Sequence, residues 1–308
     1  MSLISLLIVT GGVGLLLGLL GGGGSILMVP VLVYLMGLEA KAAIATSLIV
    51  IGLTSLVAVI GHARSAHVCW KNGWVFGLSG MAGAYTGGRL AAYVPDHVLL
   101  LMFAFFMFAT AFSLFFGRRR EVNHLSTMSL CPTRLNLPAV IFDGFLVGTV
   151  TGLVGVGGGF VIVPALTLLG GLPIKAAIGT SLLVITMNSA AALLGYSSHI
   201  QIDWHLAANV TLVAMVGSSI GSFLSHRLAQ RGLRRLFSLL VVAIASYLLH
   251  RELSWQTLDE IRQLLIAHHE FFRGLFSAII IMLLYWLRGV IHHRHQNRLA
   301  QERDKHAT

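Results

Sequence analysis

Apolar runs with almost no charge fill the chain, and short polar segments separate them. Val98–Gly117 reads VLLLMFAFFMFATAFSLFFG, and Leu275–Ile291 forms another such run. A helix needs roughly 20 apolar residues, at 1.5 Å each, to cross a bilayer. Only helices or closed barrels satisfy their backbone in lipid, and these runs are too long and unbroken for barrel strands. The pattern predicts an all-α polytopic membrane protein. Its spans fall at residues 3–38, 42–60, 73–93 and 98–117, then at 138–172, 176–195, 205–224 and 236–249. The first and fifth are interrupted, at Gly21–Gly24 and Gly157–Gly159. An amphipathic stretch, Glu252–Arg273, and one more span at 274–291 follow, and a basic tail, HHRHQNRLAQERDKHAT, closes the chain.

The two interruptions belong to a repeat. An offset of 134 residues lays GLLGGGGSILMVP (18–30) over GLVGVGGGFVIVP (152–164). The same offset, without a gap, pairs Lys41-Ala-Ala-Ile with Lys175-Ala-Ala-Ile and Thr46-Ser47-Leu48 with Thr180-Ser181-Leu182. It also pairs Trp70 with Trp204, Gly83 with Gly217, Gly87 with Gly221 and Phe103 with Phe237. A duplicated unit of this kind is the mark of transporter folds that bind cargo between the repeats. The expected organisation is repeat 1 over 1–117, a cytoplasmic linker over 118–137, repeat 2 over 138–250, and a C-terminal extension over 251–308. Each repeat is a glycine-broken helical hairpin plus three spans.

Basic residues choose the orientation of the repeats. Suppose each broken segment turns back at its glycines, so that each unit crosses an odd number of times and the second is inverted. The Lys and Arg residues then divide 16 to 5 between the faces, with Lys41, Arg89, Arg251, Arg262 and Arg273 alone outside. If each broken segment crosses once, the split is 9 to 12. The positive-inside rule selects the inverted hairpin arrangement.

Composition excludes several functions. Of 308 residues 56% are hydrophobic and 10% charged, against about 25% charged in a soluble domain. The net charge of +10 is accounted for by basic cytoplasmic loops, so no nucleic-acid partner is expected. The N-terminus, MSLISLLIVTGG, reads as the first helix and not as a removed signal peptide. Two cysteines, Cys69 and Cys131, are too few for a disulfide framework. The histidines of the extension and tail match no defined metal-site spacing, and neither metal nor cofactor is expected. No HExxH, nucleophile elbow or P-loop lysine occurs, and GVGGGF lacks the Gly-Lys-Ser/Thr ending. The chain reads as neither an enzyme nor an ATP-driven engine.

Consecutive glycines end a helix, because each costs about 1 kcal/mol relative to alanine. The helix that resumes, here expected at Ser25–Ile26 and Phe160–Val161, presents free N–H groups and about half a positive charge. Without a Cβ an anion can approach this backbone. The candidate substrate site is therefore Gly22, Gly23, Gly24 and Ser25 with Gly157, Gly158 and Gly159. Thr46, Ser47, Thr180 and Ser181 can add hydroxyl donors or can bond back to their own helices. Asn188, aligned with Thr54, can face the same cavity or hydrogen-bond between helices. Gly11, Gly14, Gly18, Gly83 and Gly87 fit close helix packing of the small-xxx-small kind. Lys41 and Lys175 read as snorkelling anchors, Asp203 as interfacial, and Asp143 as an intramembrane acid of asymmetric position.

The paired signatures GLLGGGGSILMVPVL…AAIATSL and GLVGVGGGFVIVPAL…AAIGTSL, each followed by a tryptophan after the next helix, resemble the sulfite exporter TauE/SafE family of membrane transporters. The likeness covers roughly residues 3–249. It implies a multi-pass carrier of the cell (inner) membrane that moves sulfite, organosulfonates or related small anions, outward in some members and inward in others. Its partners would be the anionic substrate, the lipid bilayer and possible further copies of itself. Two departures stand out: Cys69 occupies the position equivalent to Asp203, and the extension after residue 250 lies outside the family core. An anion channel or a non-transporting membrane component remains an alternative at this level.

Overall fold

The computed structural model describes residues 9–16, 23–64, 68–116, 131, 137–155, 157–168, 172–198, 200–225 and 230–252. The expected span at 274–291 and the basic tail lie outside these. Among the described residues every regular element is helical. Residues 9–16 form α1. A continuous helical run from Gly23 to Leu35, α2, passes from a 3-10 stretch (Gly23–Leu27) through Met28–Pro30 into a π-helical stretch (Val31–Leu35). Then come α3 (Ala40–Arg64), α4 (Trp70–Leu90), α5 (Asp96–Phe116), α6 (Leu137–Val154), α7 (Gly159–Leu168), α8 (Ile174–Tyr196), α9 (Trp204–Ser225) and α10 (Gln230–Glu252).

Local chemistry sets the boundaries. Gly37 adopts φ +71°, and the bonds Gly37 N–H to Val33 and Leu38 N–H to Leu32 close α2 in a Schellman-type stop. Pro173, extended, precedes α8 and cannot lie inside it. Asp96 opens α5, where its charge suits the helix N-terminus. Asp203 Oδ1 accepts from the Leu206 N–H at 3.0 Å and caps α9. The second interruption differs from expectation by one residue: Gly155, Gly157 and Gly158 all have positive φ, and the helix resumes at Gly159. At the first, Gly23 and Gly24 are already 3-10 helical, so the chain resumes before Ser25.

Among the described residues, three helices are long and apolar enough to cross a membrane: Ala40–Ile60 in α3, Leu137–Val154 in α6 and Ala176–Tyr196 in α8. Those of α3 and α8 are 67% and 61% buried, against 39% for α6, so α3 and α8 form the centre. Large apolar side chains cover the outside. Leu212, Val216, Phe105 and Leu194 are each more than 60% exposed, a surface suited to lipid rather than water.

Glycines set the helix pairings. A Cβ at Gly148 would overlap the Gly80 backbone, one at Gly152 the Ala84 backbone, and one at Gly83 or Gly87 the backbone of α6. Gly73 meets Thr180 and Leu183, Gly77 meets Met187, Gly80 meets Asn188, and Gly88 meets Ala192 and Gly195. Position numbers rise together in both series, so α4 runs parallel to α6 and to α8. Residues 155–173 therefore lead from the far end of α6 back to the starting end of α8. The α1–α9 contact repeats the α4–α6 contact residue for residue. Gly83 lies against the Phe145 carbonyl and the Thr149 nitrogen, and Gly217 against the Gly11 carbonyl and the Leu15 nitrogen. Each partner is shifted by the 134-residue offset, with the halves exchanged.

Candidate functional site

The turn at Gly155–Gly158 sits against the central helices. A Cβ at Gly155 would overlap Ile44, one at Gly157 would come within 2.5 Å of Ile51 and 3.3 Å of Ile185, and one at Gly158 would overlap Thr151. Ile44 and Ile51 belong to α3 and Ile185 to α8, so a turn of the second half is held between both halves. Positive φ and this crowding each demand glycine there. The Gly158 carbonyl accepts from the Val161 and Ile162 N–H groups at 2.9 and 2.8 Å, which closes the first turn of α7. The α7 helix also packs against the 3-10 stretch Gly23–Leu27, and so the two interrupted segments meet. Gly22 lies outside the described residues.

Ser47 joins the turn directly. Its hydroxyl lies 2.8 Å from the Gly155 carbonyl and 2.7 Å from that of Ile44 in its own helix, and it donates between the two. Ser181, the equivalent residue, bonds back to Ile178 at 2.8 Å. Thr180 faces α4, where its Oγ1 accepts the Cys69 N–H at 2.9 Å. Thr54 bonds back to Val50 at 2.7 Å. Ser25, Thr46 and the glycines 157–159 are buried. Lys41 is anchored at an end of the bundle, 3.4 Å from the Ala92 carbonyl and 3.6 Å from Asp96 Oδ1.

Asn188 stands apart from these. It is 1% exposed, lies against Gly80, and neither of its amide atoms has a hydrogen-bond partner among the described residues. Among the described residues Ser189, packed against Gly52, has no partner for its hydroxyl, and Asn72 of α4 has none for its Nδ2. Buried polar groups are nearly always paired, so these three mark places where a partner is owed. Sequence reasoning singled out Asn188 but passed over Ser189 and Asn72. Their signal was available as an amide or hydroxyl inside an apolar helix. It also passed over Gly155, whose equivalent is Gly21.

One expectation needs correction. The two cysteines, too few for a framework, are nevertheless joined: Cys69 and Cys131 form a disulfide with 5.6 Å between their α-carbons. The bond spans 62 residues of sequence, and spacing alone gives no sign of it. Among the described residues no three His, Cys, Asp or Glu side chains gather as metal ligands.

The chain is similar in sequence to known membrane transporters. The family described as sulfite exporter TauE/SafE matches residues 6–248. A probable membrane transporter protein of Xylella fastidiosa (strain Temecula1) is 33% identical over 267 residues, which cover 84% of this chain and 99% of the relative. A probable membrane transporter protein of Methanocaldococcus jannaschii is 26% identical over 263 residues, 80% of this chain and 96% of the relative. YunE of Bacillus subtilis, another probable membrane transporter protein, is 26% identical over 266 residues, with the same two shares. No solved structure matches. A family match over nearly the whole described bundle, with relatives named as transporters and not enzymes, leads to one conclusion: the chain belongs to the sulfite exporter TauE/SafE family of membrane transporters.

Proposed function

We propose that this chain is a multi-pass secondary transporter of the inner membrane that exports small sulfur-containing anions, sulfite or organosulfonates, by alternating access. The carrying observation is the Gly155–Gly158 turn of one half wedged against Ile44, Ile51 and Ser47 of the other. The backbone around Gly157–Gly159 and Gly22–Ser25 receives the anionic group through N–H donors at helix starts, without a cation. Thr46, Ser47, Thr180 and Ser181 turn hydroxyls toward the cargo when the packing opens, and Asn188 supplies an amide. The family's description supports the substrate class; the relatives' names go no further than transport.

The exchanged contacts, Gly83 with α6 and Gly217 with α1, support two repeats related by a pseudo-two-fold axis. The common direction of α4, α6 and α8 supports a broken segment that doubles back, and with it the inverted arrangement. In that arrangement the two halves rock about the α3–α8 crossing. Close packing of side chains around the turn favours an occluded carrier state over an open anion channel. An ion gradient or the cargo's own gradient drives movement; intramembrane acids are too few to make a proton relay evident.

Flux of radiolabelled sulfite, a sulfonate and a carboxylate into proteoliposomes, with and without imposed ion gradients, tests this reading. Sulfite or sulfonate uptake that saturates is the expected result. Movement of none of them under any gradient overturns the substrate class.

A further inference from the structure

The Cys69–Cys131 bond links two helices that start at the same end of the bundle. Cys69 immediately precedes α4, which begins at Trp70, and Cys131 lies six residues before α6, which begins at Leu137. Six residues reach at most about 20 Å, so the cross-link holds the starting ends of α4 and α6 together. It is also coupled to α8, because the Cys69 N–H donates to Thr180 Oγ1 at 2.9 Å. Since α4, α6 and α8 are parallel, one cross-link and one hydrogen bond fasten all three at that end. The α6 and α8 helices belong to the second half and α4 to the first.

The surrounding sequence fixes the compartment. Lys71 stands two residues from Cys69 and Arg134 three from Cys131, with Arg118, Arg119 and Arg120 in the same linker. The positive-inside rule puts this end in the cytoplasm, where thiols are normally kept reduced. A disulfide there is conditional, not a permanent staple.

We propose that Cys69 and Cys131 are an oxidative modification site, a tether that closes the cytoplasmic end of the bundle when low-molecular-weight disulfides accumulate. Cys69 is 2% exposed and Cys131 more open, so the Cys131 thiolate attacks the small disulfide RSSR first, forms a mixed disulfide and releases RS⁻. The Cys69 thiolate then attacks the Cys131 sulfur, closing the protein bond and releasing a second RS⁻. Two electrons pass from the protein thiols to RSSR, and the two protons end on the released thiols. The proposal rests on the inward orientation adopted above, not on the identity of the cargo.

The test has three readings on the full-length protein. Thiols are first trapped with a maleimide in acid-quenched cells, before and after a membrane-permeant disulfide is added. Both cysteines should be labelled at rest and protected after oxidation. A bond already present at rest overturns the proposal in favour of a permanent staple, and a bond that never forms overturns it too. Hydrogen exchange of the first turns of α4, α6 and α8 should then slow at least fivefold in the oxidised protein, and Cys131→Ser should abolish the change. Equal exchange in both thiol states refutes the closing action. Anion flux in proteoliposomes should fall at least fivefold on oxidation and recover with reductant. If no anion moves in either state, the carrier reading fails while exchange and trapping still decide the tether.

Discussion

Glycine at position 157 satisfies two demands at once: its φ is +66°, and a Cβ there would press on Ile51. Gly37 separates the two, for its φ is +71° with no atom of the described residues within 4 Å of the added carbon. Gly37→Ala should therefore cost about 1 kcal/mol, the backbone effect alone, whereas Gly157→Ala should cost about 1–3 kcal/mol more from overpacking. Thermal unfolding of the two variants in detergent checks the difference. Ser47 and Ser181 form a second contrast. Ser47→Ala removes a bond between the halves and should cost about 1–2 kcal/mol and slow flux, while Ser181→Ala, which loses only a bond within its own helix, should be nearly neutral in stability. Asn188 reverses the usual relation between stability and activity. Its amide is buried without a partner among the described residues, so Asn188→Ala should leave unfolding within about 1 kcal/mol of the parent, yet lower anion flux at least tenfold. Equal flux in that variant removes Asn188 from the site.

Helix pairing is where glycine spacing becomes architecture. Gly83 and Gly217 meet carbonyls of α6 and α1 in the same register, and any Cβ there must push the paired backbones away from each other. Gly83→Val and Gly217→Val should both lose several kcal/mol and most of the folded yield, while Gly12→Val, with nothing within 4 Å among the described residues, should be tolerated. Size-exclusion profiles after extraction compare the three. Much of this was legible from the chain: the 134-residue offset, an interruption at the second glycine run (though its bounds shifted to Gly155–Gly158) and the close-packing role of Gly83 and Gly87 follow from spacing, because helical period and glycine's missing Cβ act locally. The contacts between helices were not legible. Nothing in one sequence says that Gly80 faces Asn188, that Thr180 receives the Cys69 amide, or that Cys131 reaches Cys69, since each joins elements far apart in the chain. Hydroxyl roles were equally hidden, because Ser47 and Ser181 share a motif and differ only in what lies opposite.

At the scale of the molecule, the account depends on two interrupted segments that each return to the face they came from, so that equivalent points of the two halves lie on opposite sides of the membrane. Gly37, at the end of α2, and Ile174, at the start of α8, lie within a few residues of such points, one after each interrupted segment. If each segment crossed only once, the halves would be parallel and both positions would share a side. Single-cysteine variants in a background lacking Cys69 and Cys131 separate the cases: Gly37→Cys and Ile174→Cys, each probed with a membrane-impermeant maleimide in intact spheroplasts and after permeabilisation. The account predicts labelling of the first without permeabilisation and of the second only after it. Labelling of both from the same side would contradict the inverted arrangement and the shared anion site built upon it.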